Sequence, residues 1–124
     1  MKLNYATIKP FEELKLKSSL DSSYSTIKKE LDDAIMDVVT VDELDFWFND
    51  EFLFNEKPIP TVIIKNNRVP NITNYDIVLC GNVVIASHDE EGNTVSLTEE
   101  AINKLKQFKL AFLGVNPVYI YENY

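Results

Sequence analysis

The sequence predicts a single small α+β domain over residues 1–124, with a mainly antiparallel sheet on which two helices pack. Three observations support this prediction. A chain of 124 residues suffices for one ordinary domain and is too short for two. Apolar residues make up 45% of it and charged residues 26%, as in folded globular domains. Most short segments alternate apolar and polar residues as strands do, and only two stretches have helical spacing.

The first half of the chain predicts one helix among several strands. In order, we expect a strand at 2–9, a polar connection, a helix from Ser22 or Ser23 to about Ala34, strands at 35–41, 44–49 and 52–54, a brief strand at 61–64 and an irregular connection at 65–74. Pro10 ends the first strand. The helix has apolar residues at Ile27, Leu31 and Ala34, which lie on one helical face.

The second half predicts a hairpin, a helix and a last strand. An apolar run at 76–86, in which Gly81 marks a bulge, continues to a turn at 89–93 and returns through 94–96. Thr98 caps the following helix, whose last turns contain Lys104, Lys106 and Lys109. Gly114 and Asn116-Pro117 then break the chain before a final strand at 118–121.

The net charge of −8 is concentrated in two segments. Residues 32–56 contain nine Asp or Glu and no Lys or Arg, and residues 89–103 contain five acids and no base. If these segments share a face, it repels nucleic acid and anionic lipid and attracts basic surfaces. We therefore expect no direct binding to nucleic acid or to membranes.

Catalysis and metal binding are not expected. Cys80 and His88 are the single cysteine and histidine, which excludes cysteine clusters and multi-histidine sites. They are eight residues apart, about 26 Å along a straight strand, and so do not form a dyad. We expect Cys80 to be a small buried residue and His88 to lie on a surface hairpin. With three glycines no phosphate loop is present, and we predict a non-enzyme without cofactor or metal.

The absence of a long apolar stretch also bears on location. No segment approaches the roughly 20 apolar residues of a membrane span. Residues 1–10 lack the apolar core of a signal peptide, so we expect a cytoplasmic protein.

Four segments resemble a known family. They are 35–39, 54–60, 75–85 and 91–100, which include Asn55-Glu56, Gly81 and the turn Glu91-Gly92-Asn93 before the second helix. Over 27–108 the sequence is similar to the phage- and mobile-element-associated domain of unknown function numbered three-eight-four-six. The resemblance implies a small α+β domain with no established activity to transfer. Residues 1–26 are then an N-terminal strand and connection, and 109–124 a Tyr-rich extension. Asp33 and Ala34 stand where a glycine-rich turn is expected.

The predicted function is protein binding by a small acidic accessory protein of a phage or conjugative element. Acids alternate with aromatic residues in the first acidic segment, a pattern that suits a basic host or element-encoded partner. The predicted contact residues are Asp42, Glu43, Asp45, Trp47, Asp50, Glu51 and Glu56. The alternative interpretation of this pattern is a core strand with a solvated acidic face, and an exposed Trp47 would favour the interface.

Two other function classes remain open. The first is a small-ligand module, with a pocket lined by Trp47, Tyr75 and the tail residues Tyr119, Tyr121 and Tyr124. The second is a nucleic-acid mimic that inhibits a host defence enzyme, with carboxylates in the place of phosphates. The oligomeric state is also open, since an exposed edge strand, such as the C-terminal one, could pair two copies.

Overall fold

The computed structural model describes residues 2–51, 58–66 and 76–123, which form ten strands and two helices. The strands are β1 (Leu3–Ile8), β2 (Lys15–Ser19), β3 (Met36–Val41), β4 (Leu44–Asn49), β5 (Pro60–Asn66), β6 (Ile77–Cys80), β7 (Val83–His88), β8 (Thr94–Val95), β9 (Lys109–Leu113) and β10 (Asn116–Asn123). The helices are α1 (Ser23–Glu30) and α2 (Glu99–Leu105). This content confirms the predicted α+β class, with more strand than helix.

The first sheet has the strand order β2-β1-β7-β4-β3, and the short β8 pairs with the end of β7. All of its pairs are antiparallel. Leu44, Phe46 and Phe48 of β4 are buried on the face toward the second sheet. Asp45 and Trp47 lie on the opposite face, because successive strand residues alternate sides. The strands predicted at 35–41 and 44–49 are confirmed as β3 and β4, which pair as one hairpin.

The second sheet has the order β6-β5-β10-β9. Its β5–β10 pair is parallel and its other pairs are antiparallel. The sequence predicts one sheet, and the described residues form two. A parallel pair requires a long crossover, and here the crossover contains β6, β7, β8, α2 and β9.

The chain passes from the second sheet to the first at Gly81. The predicted bulge is wrong, because β6 pairs with β5 in one sheet while β7 pairs with β1 and β4 in the other. Gly81 has a φ of +75°, which glycine adopts without steric cost, and its N–H donates to the Ile59 carbonyl at 2.9 Å. The following hairpin is confirmed, since Ser87 pairs with Val95 across the 89–93 turn.

Both helices begin at the predicted caps. The hydroxyls of Ser22 and Thr98 accept backbone N–H groups of the first turn at 3.2 and 3.1 Å. The second helix ends at Leu105, earlier than predicted, and Lys109 already belongs to β9.

The end of α1 also differs from the prediction. The helix ends at Glu30, whereas the apolar spacing predicts an end near Ala34. Asp32 and Asp33 have φ angles of 55° and 59°. A left-handed conformation cannot continue a right-handed helix, and it turns the chain toward β3. Of these two, Asp33 is one of the residues that stand where the family resemblance implies a glycine-rich turn.

Two hydrophobic clusters lie on opposite faces of the first sheet. The larger lies between the sheets and contains residues of α2, such as Ala101 and Leu105, together with Phe46, Val62 and Tyr121. The smaller lies under α1 and contains Leu3, Tyr5, Ile27, Leu31 and Val84, with Trp47 packed against it. Each helix therefore covers a different face of the first sheet.

Two strands are not predicted by the sequence. The structure has β2 where the sequence predicts a polar connection, because its Leu16 is 60% exposed and leaves no buried stripe to detect. It has β9 where the helix was expected to end. The predicted strand at 52–54 and most of the predicted irregular connection lie outside the described residues. Neither described helix has the length and apolar character needed to cross a membrane.

Candidate functional site

Four of the seven predicted contact residues lie at two ends of the β3–β4 hairpin, and Asp45 and Trp47 lie within β4. Asp42 and Glu43 form its turn, and Asp50 and Glu51 follow β4 at the other end. The length of β4 separates these ends by about 16 Å. Glu56 lies outside the described residues. The structure therefore does not bring the predicted residues into one patch.

The turn end, Asp42 and Glu43, is partly neutralised by a cation of α2. Lys104 Nζ lies 3.2 Å from Asp42 Oδ2 and 2.9 Å from Glu43 Oε2. The Tyr121 hydroxyl also donates to Asp42 Oδ2, at 3.1 Å. The ammonium lowers the pKa of Glu43, and the carboxylates of Glu43 and Asp42 raise the pKa of Lys104. The two carboxylates and the single ammonium therefore leave one net negative charge at the turn end.

Asp45 is buried, and its carboxylate contacts two other side chains of the protein. Its residue is 5% exposed, so the interpretation of a solvated acidic face is wrong for this position. Thr40 Oγ1 donates to Asp45 Oδ1 at 2.8 Å, and His88 Nδ1 lies 3.0 and 3.1 Å from the two carboxylate oxygens. The sequence associates His88 with its acidic neighbours in the chain, but its partner comes from across the sheet.

Trp47 is half-buried and is not an exposed anchor. Its ring packs against the cluster under α1, and it lines a cavity of about 280 Å³ with Thr40, His88 and Thr94. Its indole Nε1 is buried and has no hydrogen-bond partner among the described residues. Trp47 therefore contributes to packing of the first sheet rather than to an exposed contact surface.

The opposite end of the hairpin is exposed. Asp32, Asp33, Asp50 and Glu51, which we call the acidic end, are all exposed side chains. None of them forms an ion pair with a described Lys or Arg. Asp32 and Asp33 are missing from the predicted contact residues, although their position in the 32–56 acidic segment was a signal for them.

Hydrogen bonds hold the two parts of the acidic end together. The Asp50 N–H donates to the Ile35 carbonyl at 2.8 Å, which joins the end of β4 to the start of β3. Asn82 Nδ2 donates to the Glu30 carbonyl at 2.9 Å and to Asp32 Oδ2 at 3.4 Å. The carboxylates are thus displayed on anchored backbone.

Glu30, two residues before the acidic end, behaves differently. It accepts from Lys9, Lys17 and Tyr5 at 3.1, 3.0 and 2.9 Å. Burial alone raises the pKa of Glu30, but the hydrogen bonds from these groups outweigh burial and lower it. Burial and the neighbouring Glu30 raise the pKa of Tyr5 to about 12. Glu30 therefore belongs to a paired cluster and not to the acidic end.

The second acidic segment lies near the turn end, because β7 runs antiparallel to β4 and its last residues lie beside the start of β4. Asp89 accepts the N–H groups of Glu91 and Asn93 at 3.0 and 2.8 Å, and the bonds from Asn93 and neighbouring backbone lower its pKa. Glu99 and Glu100 occupy the first turn of α2, where the helix dipole favours them. The acidic segments therefore do not merge into one surface at the acidic end.

The aromatic residues of the small-ligand hypothesis are not brought together. Trp47 and Tyr119 line different cavities, and Tyr121 is 4% exposed inside the core. Tyr75 and Tyr124 lie outside the described residues. The described part of the chain does not form the predicted aromatic pocket.

The remaining reactive groups do not form a site. Cys80 is buried, as predicted, and burial raises the pKa of its thiol. It lies in the second sheet while His88 lies in the first, so they do not share the straight strand considered above. Among the described residues, no three His, Cys, Asp or Glu are grouped to hold a metal ion.

The fold and this geometry define a small α+β protein with an exposed acidic end at one end of the β3–β4 hairpin. A family model described as a domain of unknown function, DUF3846, matches residues 3–109. The chain belongs to this family, which confirms the resemblance to this domain of unknown function. The match begins at residue 3, upstream of the segment on which the resemblance rests, and it therefore includes β1 and β2. No curated protein and no solved structure matches the chain significantly.

Proposed function

We propose that this protein binds a basic protein partner through its acidic end, as a small accessory protein of a phage or conjugative element. One observation carries the proposal. The four carboxylates of the acidic end are exposed and form no ion pair with a described Lys or Arg. By contrast, Asp42 and Glu43 pair with Lys104, and Asp45 contacts His88 and Thr40. The phage or element setting is supported by the family resemblance alone.

Long-range attraction is the physical basis of this binding. Unpaired surface carboxylates of one sign raise the local negative potential, which accelerates encounter with a basic surface and selects against acidic ones. The net charge of −8 acts in the same direction. Arg and Lys side chains of the partner would then pair with the carboxylates at the contact.

The backbone of the acidic end supports a binding role. Asp32 and Asp33 adopt left-handed conformations, which cost an L-residue roughly 1–2 kcal/mol each relative to the right-handed region. Glycine would adopt them without this cost. The chain instead places carboxylates there, and Asn82 holds this turn by donating to the Glu30 carbonyl and to Asp32 Oδ2.

The test compares capture from host lysate by three forms of the protein. The first is wild type. The second carries Asp32→Asn, Asp33→Asn, Asp50→Asn and Glu51→Gln, since Asn tolerates the left-handed conformation. The third is a matched control with Glu90→Gln, Glu91→Gln, Glu99→Gln and Glu100→Gln, which removes the same charge elsewhere. Bound proteins are washed at low and raised salt and identified by mass spectrometry.

We expect a partner that wild type and the control retain, that the acidic-end variant loses, and that raised salt releases. Direct titration of the purified partner should show at least a tenfold weaker affinity for the acidic-end variant. Equal capture by all three forms would contradict the proposal.

The same experiment addresses mimicry of nucleic acid. A mimic requires a dense array of carboxylates at phosphate positions, and here the acids are divided between two ends of a hairpin, of which one is partly neutralised by Lys104. If duplex DNA displaces the captured partner, the partner's DNA-binding surface is the target, and mimicry becomes the form that the binding takes.

A further inference from the structure

The open edge of the second sheet is a different surface from the acidic end. β9 pairs with β10 on one side and forms the edge of the sheet in the described structure. Leu110, Phe112 and Leu113 are 49%, 63% and 53% exposed. The strand contains no proline, and its one charged residue, Lys109, pairs with Glu122 at 3.0 Å. Natural sheets usually protect an edge with charges, proline or bulges, so this edge is unprotected.

The hydrogen-bonding groups on the open side belong to Leu110 and Phe112. Leu113 pairs with Asn116 across a two-residue turn, which makes them the hydrogen-bonded pair that closes the hairpin. Hydrogen-bonded and non-hydrogen-bonded pairs alternate along an antiparallel ladder. Phe112 is therefore in a non-hydrogen-bonded pair, as its position opposite Pro117, which has no N–H, requires. Leu110, two residues earlier, is also in a non-hydrogen-bonded pair, opposite Tyr119. The N–H and C=O groups of Leu110 and Phe112 therefore point away from β10, toward the open side of the sheet.

We propose that two copies of the protein associate by antiparallel pairing of their β9 strands, with Ala111 opposite Ala111 of the second copy. In this register the outward groups of Leu110 meet those of Phe112 in the second copy, and the reverse pair forms by symmetry. Leu110 and Phe112 lie on the same face of β9, so the four side chains form one apolar strip of aromatic–aliphatic cross-strand pairs.

The charge distribution permits this contact between two acidic molecules. The acids concentrate in residues 32–56 and 89–103, whereas residues 104–124 contain three Lys and one Glu. In the proposed register Lys109 lies opposite Leu113 of the second copy, so like charges do not face each other. A heterologous strand would satisfy the backbone groups equally well, but self-pairing also places complementary apolar side chains opposite each other.

The exposed area sets the expected strength. The half-exposed apolar side chains of β9 present on the order of 400 Å² per copy, given the area that such side chains bury. A standard stable interface uses about 800 Å² per partner. The dimer should therefore be weak and concentration-dependent, with a dissociation constant in the micromolar to millimolar range.

Sedimentation velocity from about 10 μM to about 1 mM tests the pairing. We expect wild type to shift from monomer to dimer over this range. Phe112→Pro should abolish the shift, because it removes an outward N–H and no internal hydrogen bond. Leu110→Lys should also abolish it. Val115→Lys, which changes an 89% exposed turn residue outside the register, should dimerise like wild type.

A cysteine substitution tests the register itself. Directly opposed residues of a non-hydrogen-bonded pair are close enough for a disulfide, so Ala111→Cys should form a covalent dimer under mild oxidation. Lys109→Cys, which faces Leu113, should crosslink at least tenfold more slowly, and wild type with its buried Cys80 should not crosslink. A wild type that stays monomeric at about 1 mM, or equal crosslinking at both positions, would overturn the proposal.

Discussion

The two ends of the β3–β4 hairpin have the same kind of side chain in opposite circumstances. At the turn end, Asp42 and Glu43 share Lys104, and the nearby Asp45 holds His88 and Thr40. At the acidic end, about 16 Å away along β4, the carboxylates are exposed and form no ion pair with a described cation. A single acidic segment therefore supplies both structural carboxylates and a candidate binding surface.

The difference arises from the elements that pack beside each end. α2 brings a lysine to the turn, and β7 brings a histidine to Asp45. The acidic end is met by Asn82, which donates hydrogen bonds but adds no charge. The role of an acid in this protein is thus decided by the residues that pack beside it, and three sets of substitutions test the difference between paired and unpaired acids.

The largest expected effect is at Asp45. Replacing it with Ala removes a buried carboxylate that accepts a hydrogen bond from Thr40 and contacts His88 Nδ1, and should lower the free energy of unfolding by about 2 kcal/mol, because interactions with a charged acceptor are lost. Asp50→Ala, at the exposed end, should change it by less than about 0.5 kcal/mol. Urea denaturation of both variants measures the difference. Equal losses would show that the two ends do not differ as described.

The second effect concerns the pH dependence set by Glu30. Its pKa in the folded protein is lower than the ordinary value of 4.5, so the stability it contributes is present above that value and is lost as the pH falls. Glu30→Gln should therefore cost about 1 kcal/mol at neutral pH and less in acid. Thermal unfolding from neutral to acidic pH should show the two curves converging. Glu13→Gln, at an exposed acid, should run parallel to wild type, and parallel curves for Glu30→Gln would contradict the assignment.

The smallest effect is at the acidic end itself. The double substitution Asp50→Asn and Glu51→Gln removes two charges that have no described cation, so the free energy of unfolding should stay within about 0.5 kcal/mol of wild type. A slight rise is the more informative result, because it would show that these carboxylates repel one another in the isolated protein. Urea titration at low and raised salt measures it, and a loss above about 1 kcal/mol would mean that the acids are structural.

Local patterns in the sequence predict most helices and strands but not how the strands are divided between two sheets. The alternation at Leu44, Phe46 and Phe48 and the caps at Ser22 and Thr98 are local signals, and all of them predict correctly. The division into two sheets depends on contacts distant in sequence, such as β10 with β5, which no local period encodes.

The candidate site is less predictable for the same reason. Alternation places Asp45 on the face opposite Phe46, and it cannot indicate that this face carries His88 and is partly covered by α1. Likewise, Lys104 is visible in the sequence only as a cation near a helix end. The exposed pair Asp50 and Glu51 is the part of the predicted surface that local reasoning places correctly on the outside.

The central position of β10 also affects the order in which the protein can be completed during synthesis. The strands of the first sheet all lie within residues 3–95, whereas the second sheet requires residues 116–123 between β5 and β9. Until these residues leave the ribosome, the edge of β5 that pairs with β10 is unpaired. Val62 and Ile64 of β5 are 0% and 1% exposed in the folded protein, and they are more exposed while β10 is missing. Nascent chains of this protein should therefore be most prone to aggregation just before β10 is made.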